Sequence, residues 1–370
     1  MFIAAEVFMQ TPITMQTDAF DIKLAIQDLV SYRSLSRNGM AALMDSIVSG
    51  KASQAQVGAV LTALRMRGET IDEIVGAALA MRARMVTIQA PPGTMDILGT
   101  GGDNSGTYNV STCAAFIVAG AGVRVAKQGN RAFSSRSGAA DVLRALGVNL
   151  DVQPHTIERC IDEVGIGFIF APAHHPALAK AMPVRVELGT RTLFNILGPL
   201  LNPAGVKHHL VGVYARSLVR PLAAALAELG SERVLVVHGS DGLDEITTTG
   251  PTFATLAISG HLTDLEIRPE DLGLSIAAPD VLKGGDPQTN AHALRSVLEG
   301  EAGPYRDIAL INAAGALIAS GKTEGWLDAI RIARASIDEG QALRCLQRLI
   351  SVSCQGDAPQ LFSSELSGDL

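Results

Sequence analysis

The stretch DILGTGGDNSGTYNVST, residues 96–112, decides how this chain is read. It sets four glycines, Gly99, Gly101, Gly102 and Gly106, between a short apolar run, MDIL, and a helix-forming run, VSTCAAFIVAGAG. Strand, glycine loop, helix is the order in which an α/β sheet presents a ligand loop at the carboxyl end of a strand. Glycine lets backbone N–H groups approach an anion closely, and the helix start behind it adds partial positive charge. Asn109, Ser111 and Thr112 stand where they could cap that helix or donate to phosphate oxygens. Two common glycine patterns do not fit. After Gly99 and Gly101, the third glycine of a dinucleotide fingerprint falls on Asn104, and the P-loop spacing Gly101–Gly106 is followed by Thr107 instead of lysine. Taken alone, an ordinary turn before a capped helix also accounts for the stretch.

Downstream, strands and helices alternate. VRVA, GFIFA, HLVGVY, RVLVVHG and FATLAI read as strands, with helices such as AADVLRALG and VRPLAAALAELG between them. This alternation indicates a largely parallel sheet covered on both faces. Upstream the period is helical. Val57, Val60, Leu61 and Leu64 recur at i, i+3, i+4, i+7; Gly68 can end that helix, and Thr70 with Glu73 opens the next as a capping box. APPG at 90–93 separates the two regimes. RTLFNILGPLLNP at 191–203 is helix-like inside the α/β region and is expected to return to the helical part. The expected fold class is therefore α/β. A small all-helical domain covers 18–90 and is rejoined by 187–204; a large α/β domain with a mostly parallel central sheet covers 91–186 and 205–370; a loose tail occupies 1–17.

The 370 residues are 47% hydrophobic and carry a net charge of −7, so bulk electrostatics do not favour nucleic acid and any polyanion must meet a local basic site. No run is long and apolar enough to span a membrane, and the N-terminal MFIAAEVFMQTPITMQ lacks the basic start of a signal peptide. Cys113, Cys160, Cys345 and Cys354 form no CxxC and lie near no histidine pair at zinc spacing. They are expected to be reduced thiols of a cytoplasmic protein, with Cys113 buried and inert.

Three further stretches carry chemistry. KQGNRAFSSRSGAAD, 127–141, follows a strand and precedes a helix, and interleaves Lys127, Arg131 and Arg136 with serines and glycines. Two such loops on neighbouring strands would converge on one anion-rich ligand. DGLDEIT, 241–247, puts Asp244 and Glu245 side by side on a strand-end loop. Mg²⁺ serving a phosphorylated substrate takes one or two carboxylates, although a surface turn headed by Asp241-Gly242 reads equally well. HHPALAKAMPVRVELGTRT, 174–192, holds two consecutive histidines that cannot both face one site, and Arg185, a candidate for carboxylate recognition or for a plain surface ion pair. No Ser-His-Asp order or nucleophile elbow appears.

Together these stretches resemble the anthranilate phosphoribosyltransferase family, the tryptophan-pathway branch of the phosphoribosyltransferases and nucleoside phosphorylases that join a helical to an α/β domain. The resemblance runs from about residue 20 to 350 through GTGGD, NVST, GNRAFSSRSGAADVLRALG, HHPA, RTLFNILGPLLNPA, DGLDEIT and GGDPQTNA. It implies transfer of the phosphoribosyl group of phosphoribosyl pyrophosphate to the amine of anthranilate, with Mg²⁺, in a homodimer. By motif, Gly99, Gly102, Asp103, Thr107, Asn109, Val110, Ser111 and Thr112 would hold phosphoribosyl pyrophosphate, with Lys127, Gly129, Asn130, Arg131, Ser134, Ser135 and Ala139 completing its site. Ser111, Asp244 and Glu245 would bind the metal. Gly99, Gln128, Asn130, His175 and Arg185 would line the acceptor site, with Asn130 and Arg185 positioning substrate and Arg185 near the anthranilate carboxylate. The chain departs from the family at Gln128, where a histidine is usual. Glutamine keeps a donor and an acceptor but cannot carry charge near neutral pH.

The implied mechanism is electrostatic positioning. Pyrophosphate leaves, positive charge grows at the anomeric carbon, and a weakly basic aromatic amine needs no strong general base. A pyrimidine nucleoside phosphorylase of the same fold would not need the paired carboxylates. A non-catalytic nucleic-acid-binding relative would not suit the acidic charge or the intact RTLFNILGPL.

Overall fold

The computed structural model describes residues 20–103, 105–131 and 136–355. The expected tail at 1–17 and the candidates Ser134 and Ser135 lie outside them. Four helices come first: α1 (Ile22–Val30), α2 (Arg37–Val48), α3 (Gln54–Arg67) and α4 (Ile71–Arg82). Each starts where a side chain, of Asp21, Ser36, Ser53 or Thr70, accepts from a first-turn amide that the helix leaves unpaired. Gly68, at φ 87°, closes α3. The Thr70–Glu73 capping box forms, and the fully buried Glu73 does more than cap. Its carboxylate also accepts from Leu35 N–H (2.9 Å) and pairs with Arg67, tying three helices together.

The chain then alternates: β1 (Met95–Gly99), α5 (Val110–Gly120), β2 (Val125–Gly129), α6 (Ala139–Ala145), α7 (Pro154–Arg159), β3 (Ile166–Phe170). Short helices α8 (Ala171–His174), α9 (Met182–Leu188) and α10 (Leu193–Leu197) lead to β4 (His208–Gly212), α11 (Val219–Glu228) and β5 (Arg233–Gly239). A hairpin of β6 (Thr252–Ile258) and β7 (His261–Ile267) follows. Its two-residue turn, Ser259 (φ 49°) and Gly260 (φ 83°), has the positive angles that match strand twist. Helices α12 (Pro287–Leu298), α13 (Pro304–Ser320), α14 (Trp326–Asp338) and α15 (Gln341–Cys354) complete the described chain.

The sheet order is β3-β2-β1-β4-β5-β6-β7, parallel through β5 and antiparallel at β6 and β7. Alternate residues of one strand enter different cores, as a sheet covered on both faces requires. Ile97, Leu210 and Leu235 pack with α5 and α13, whereas Leu98, Val211 and Val236 pack with α11. The second core is continuous with α1–α4. Leu193, Phe194, Ile196 and Leu197 of α10 join it, and so do Leu178, Ala181 and Val184, so residues ahead of 187 take part in that return. Central β1 and β4 are neighbours whose connections run to opposite sides, which opens a crevice at their carboxyl ends. Cys113, Cys160 and Cys345 are buried, Cys354 is exposed, and all are free thiols.

Candidate active site

A cavity of about 410 Å³ lies in that crevice, beyond Gly99 of β1 and Gly129 of β2, under the loop after β5. Every described candidate borders it: Gly99, Gly102, Asp103, Thr107, Asn109, Val110, Ser111, Thr112, Lys127, Gln128, Gly129, Asn130, Arg131, Ala139, His175, Arg185, Asp244 and Glu245.

One end is charged. Asp244 leans on β1 and β4 so closely that only glycine fits beneath it. A Cβ on Gly99 would stand 2.2 Å from Asp244 Oδ2, and one on Gly212 would stand 1.6 Å from its carbonyl oxygen. Gly101 N–H donates to Asp244 Oδ2 (2.7 Å), and Ser111 N–H donates to Glu245 Oε1 (3.1 Å). Lys127, buried in β2, donates through Nζ to Ile97 O (2.6 Å) and Ser111 Oγ (3.3 Å). Burial pushes the Asp244 carboxyl up to about 7, with the Asp103 charge adding to it. Burial and the neighbouring Asp244 raise Glu245 well above the usual range. Burial lowers Lys127, and Asp96, Glu245 and Asp244 oppose that shift. Asp96 anchors this end from below, accepting from Gln128 N–H (3.1 Å), Ile97 N–H (2.8 Å) and Asn202 Nδ2 (2.6 Å).

The expectation that Asn109 could cap α5 with its side chain is not met. Asn109 holds the N-cap position, but its Oδ1 accepts from Asn290 Nδ2 (2.9 Å) and its Nδ2 donates to Ser137 O (3.3 Å). The Glu245 carboxylate serves the first-turn amide of Ser111 instead. Asn290 belongs to the GGDPQTNA stretch, which buttresses the glycine loop.

The other end is less charged and poorly bonded. His174 turns away, its Nδ1 bonded to Val86 O (2.7 Å), while His175 borders the cavity with neither ring nitrogen hydrogen-bonded. Burial and the adjacent His174 lower the His175 imidazole to about 4. Gln128 Oε1 is buried without a partner, and its Nε2 reaches Gly198 O at 3.5 Å. Arg185 lies over the Phe194 ring (5.2 Å), touches Met182 Sδ, and forms no ion pair among the described residues. Arg131 lies over the Phe170 ring (5.5 Å). Asn130 Oδ1 accepts from Arg131 N–H (2.7 Å).

Sequence reading missed several residues. Phe194, Asn195 and Met182 border the cavity. Arg191 holds the Gly102 carbonyl and lies over Tyr214 (4.3 Å). Tyr305 stacks on Tyr108 and donates to Asn109 O (3.2 Å). Arg191, between Thr190 and Thr192, lies with Phe194 and Asn195 in RTLFNILGPL, so these three had a local signal.

The charged end fits a divalent cation. Two adjacent carboxylates, Asp244 buried and Glu245 half-buried, that repel each other gain stability when a positive ion neutralises them. Among the described residues no cluster of three or more His, Cys, Asp or Glu forms a full protein cage. Such an ion would complete its shell with substrate oxygens and water, as Mg²⁺ prefers.

Comparison with known proteins agrees with this architecture. Residues 23–85 match the glycosyl transferase family helical bundle domain, and residues 91–343 match the α/β domain of that family. The protein named anthranilate phosphoribosyltransferase 2 of Ralstonia nicotianae is 65% identical over 334 residues, covering 90% of this chain and 97% of that one. The crystal structure of anthranilate phosphoribosyltransferase from Thermus thermophilus superposes with a TM-score of 0.84 at 39% identity, covering 89% of this chain and 99% of that one. The Saccharomyces cerevisiae enzyme in complex with PRPP and Mg superposes at 0.82 with 29% identity, covering 90% and 97%. With both domains matched and close relatives covered nearly end to end, the chain belongs to the anthranilate phosphoribosyltransferases of the glycosyl transferase family.

Proposed function

We propose that this cavity transfers the phosphoribosyl group of phosphoribosyl pyrophosphate to the amine of anthranilate, giving N-(5-phosphoribosyl)anthranilate and pyrophosphate for tryptophan biosynthesis. The observation that carries this is the pairing of opposite ends in one cavity. A carboxylate pair beside the glycine loop, with Asp244 buried and Glu245 half-buried, faces the half-buried Arg185, which has no ion pair among the described residues. The names and bound molecules of the relatives point the same way.

The glycine loop from Gly99 to Thr107, the α5 start at Val110–Thr112, and Lys127 hold the pyrophosphate of the donor. Gly129, Asn130, Arg131 and Ala139, with Ser134 and Ser135, complete its site. Ser111, Asp244 and Glu245 hold Mg²⁺, which when bound neutralises charge on the leaving pyrophosphate. Arg185 takes the anthranilate carboxylate, and Asn130, Gln128 and His175 line the ring and amine. The C–O bond to pyrophosphate breaks, the C–N bond forms, and the amine proton leaves to solvent. The aromatic amine becomes acidic as that bond forms, so positioning and electrostatics supply the rate. The neutral His175 adds no charge at this end.

The chain works as a cytoplasmic homodimer, with exposed Leu24, Tyr32 and Met66 on the helical bundle as support for a subunit contact. Incubation with anthranilate, phosphoribosyl pyrophosphate and Mg²⁺, followed by the decay of anthranilate fluorescence, tests the activity. Absence of decay rejects the reading. Sedimentation at micromolar concentration tests the dimer.

A further inference from the structure

We infer that Asn312 is a positioning residue for the Asp244–Glu245 pair, an inference that rests on the metal role proposed for those carboxylates. Helix α13 is apolar and buried from Ile308 to Ala319, and Asn312 sits in its middle with no exposed surface. An asparagine there costs free energy unless every polar atom is bonded. It is bonded, and to a single purpose. Ile246 N–H donates to Asn312 Oδ1 (2.9 Å), and Asn312 Nδ2 donates to Ile246 O (2.8 Å) and to Ile308 O (2.8 Å). Reversing the amide would set its oxygen against two carbonyls, so the partners fix its orientation. The side chain thus pairs with both backbone groups of one residue, as a neighbouring strand would.

That residue immediately follows Glu245. One turn further along α13, Gly315 leaves the space that the Ile246 side chain fills; a Cβ there would stand 2.4 Å from Ile246 Cδ1. Helix α13 is therefore shaped at two positions to seat residue 246. On the other side of the pair, Asp241 accepts from Leu243 N–H (3.2 Å) and from the hydroxyls of Thr247 and Thr249 (both 2.6 Å). The carboxylates lie between these two fixed points. When chemistry depends on positioning, an error on the order of 1 Å costs about 100-fold in rate.

The test compares the wild type with Asn312→Asp, which keeps the acceptor for Ile246 N–H but has no donor when ionised, and with Asn312→Ser. Mn²⁺ binding in the presence of phosphoribosyl pyrophosphate is titrated by electron paramagnetic resonance, beside the Mg²⁺ dependence of the rate. The expected result is a loss of about 10-fold or more in Mn²⁺ affinity, the size seen when the support of a metal ligand is removed, with rate recovered at high Mg²⁺. A cooperatively folded variant that binds Mn²⁺ within about 2-fold of wild type overturns the inference, since only larger losses match removal of a ligand's support. If neither variant folds, hydrogen exchange of the wild type decides. An Ile246 amide protected like a strand amide supports the clamp, and one exchanging like an open loop overturns it. Failure of the wild type itself to bind Mn²⁺ with phosphoribosyl pyrophosphate would instead sink the proposed function.

Discussion

The two ends of the cavity differ in how folding completes them. At the charged end Asp244, Glu245 and Lys127 all have protein partners, yet their electrostatics are unfavourable, with both carboxyls pushed up by burial and by a neighbouring carboxylate, Asp103 for Asp244 and Asp244 for Glu245. At the acceptor end, among the described residues, Gln128 Oε1 and both His175 ring nitrogens have no hydrogen-bond partner and Arg185 has no ion pair. The charged end is bonded but needs positive charge. The acceptor end carries the unpaired charge of Arg185 and needs hydrogen bonds and one anion. Substitution at the first therefore disturbs protein contacts as well as the ligand, whereas substitution at the second should act mainly on the ligand, with His175 adding a pH-dependent share of stability.

The largest expected effect is at the carboxylates. Asp244→Asn or Glu245→Gln should lower kcat/KM for phosphoribosyl pyrophosphate by about 100-fold or more and flatten the Mg²⁺ dependence, as when a charge-stabilising group is removed from a closed site. Stability should move the other way. Asp244 is raised from its ordinary 3.8 to about 7, so the stability it gains by protonation is full below 3.8 and is lost as pH rises through 7. Asp244→Asn should therefore gain on the wild type in urea midpoint between pH 5 and pH 8. Unchanged activity would remove the metal from this end; an unchanged gap in midpoint would mean that burial and Asp103 do not raise the Asp244 carboxyl.

Arg185 sharpens the contrast. Arg185→Lys keeps the charge but loses the planar fork, and should raise KM for anthranilate by about 10-fold or more, the 1.5–3 kcal/mol of a charged hydrogen bond. KM for phosphoribosyl pyrophosphate should stay nearly constant. If it rises instead, the ends have been assigned in the wrong order.

How much of this was legible in the sequence follows from distance along the chain. The glycine loop and DGLDEIT stood out as local clusters of residue types, but a plain turn accounted for each as well, and only the resemblance of the whole set of motifs gave them a role. The parallel sheet was readable from its periods. Asn312 was not, because INAAGAL reads as core and its partner Ile246 lies 66 residues away. Arg191 reaches Gly102 across 89 residues, and only the packed bundle brings them together. The contribution of Leu178, Ala181 and Val184 to the helical core was hidden by Pro176 and Pro183, which break the helical pattern. Asn109 misled because the pull of Asn290 on its side chain is a tertiary effect.

His175 gives the next effect in size. Its imidazole is lowered from 6.5 to about 4, so the stability it contributes is present above 6.5 and is lost as pH falls toward 4. Between pH 7 and pH 5 the wild type should lose about 2 kcal/mol that His175→Gln does not, read from urea midpoints at both pH values. The pH profile of KM for anthranilate should be the same in both proteins above pH 6. A new limb near 6.5 in the wild type would mean that the ring is solvated and charged, and Arg185 would no longer be the sole charge of the acceptor end.

The smallest expected effect tests the departure at Gln128. Its backbone N–H is held by Asp96 and its side chain is buried, so a residue of similar size can replace it without moving β2. The bond from Nε2 to Gly198 O is long at 3.5 Å, so little is lost with it. Gln128→His should therefore leave kcat/KM for anthranilate equal or higher, with any change within about 5-fold, the worth of one neutral hydrogen bond. Because the unpartnered Oε1 waits for a donor, Gln128→Leu should cost more than Gln128→His. A large loss on Gln128→His alone would mean that this end is shaped around glutamine for a different acceptor, and the contrast between a bonded and an unbonded end would then be one of substrate choice.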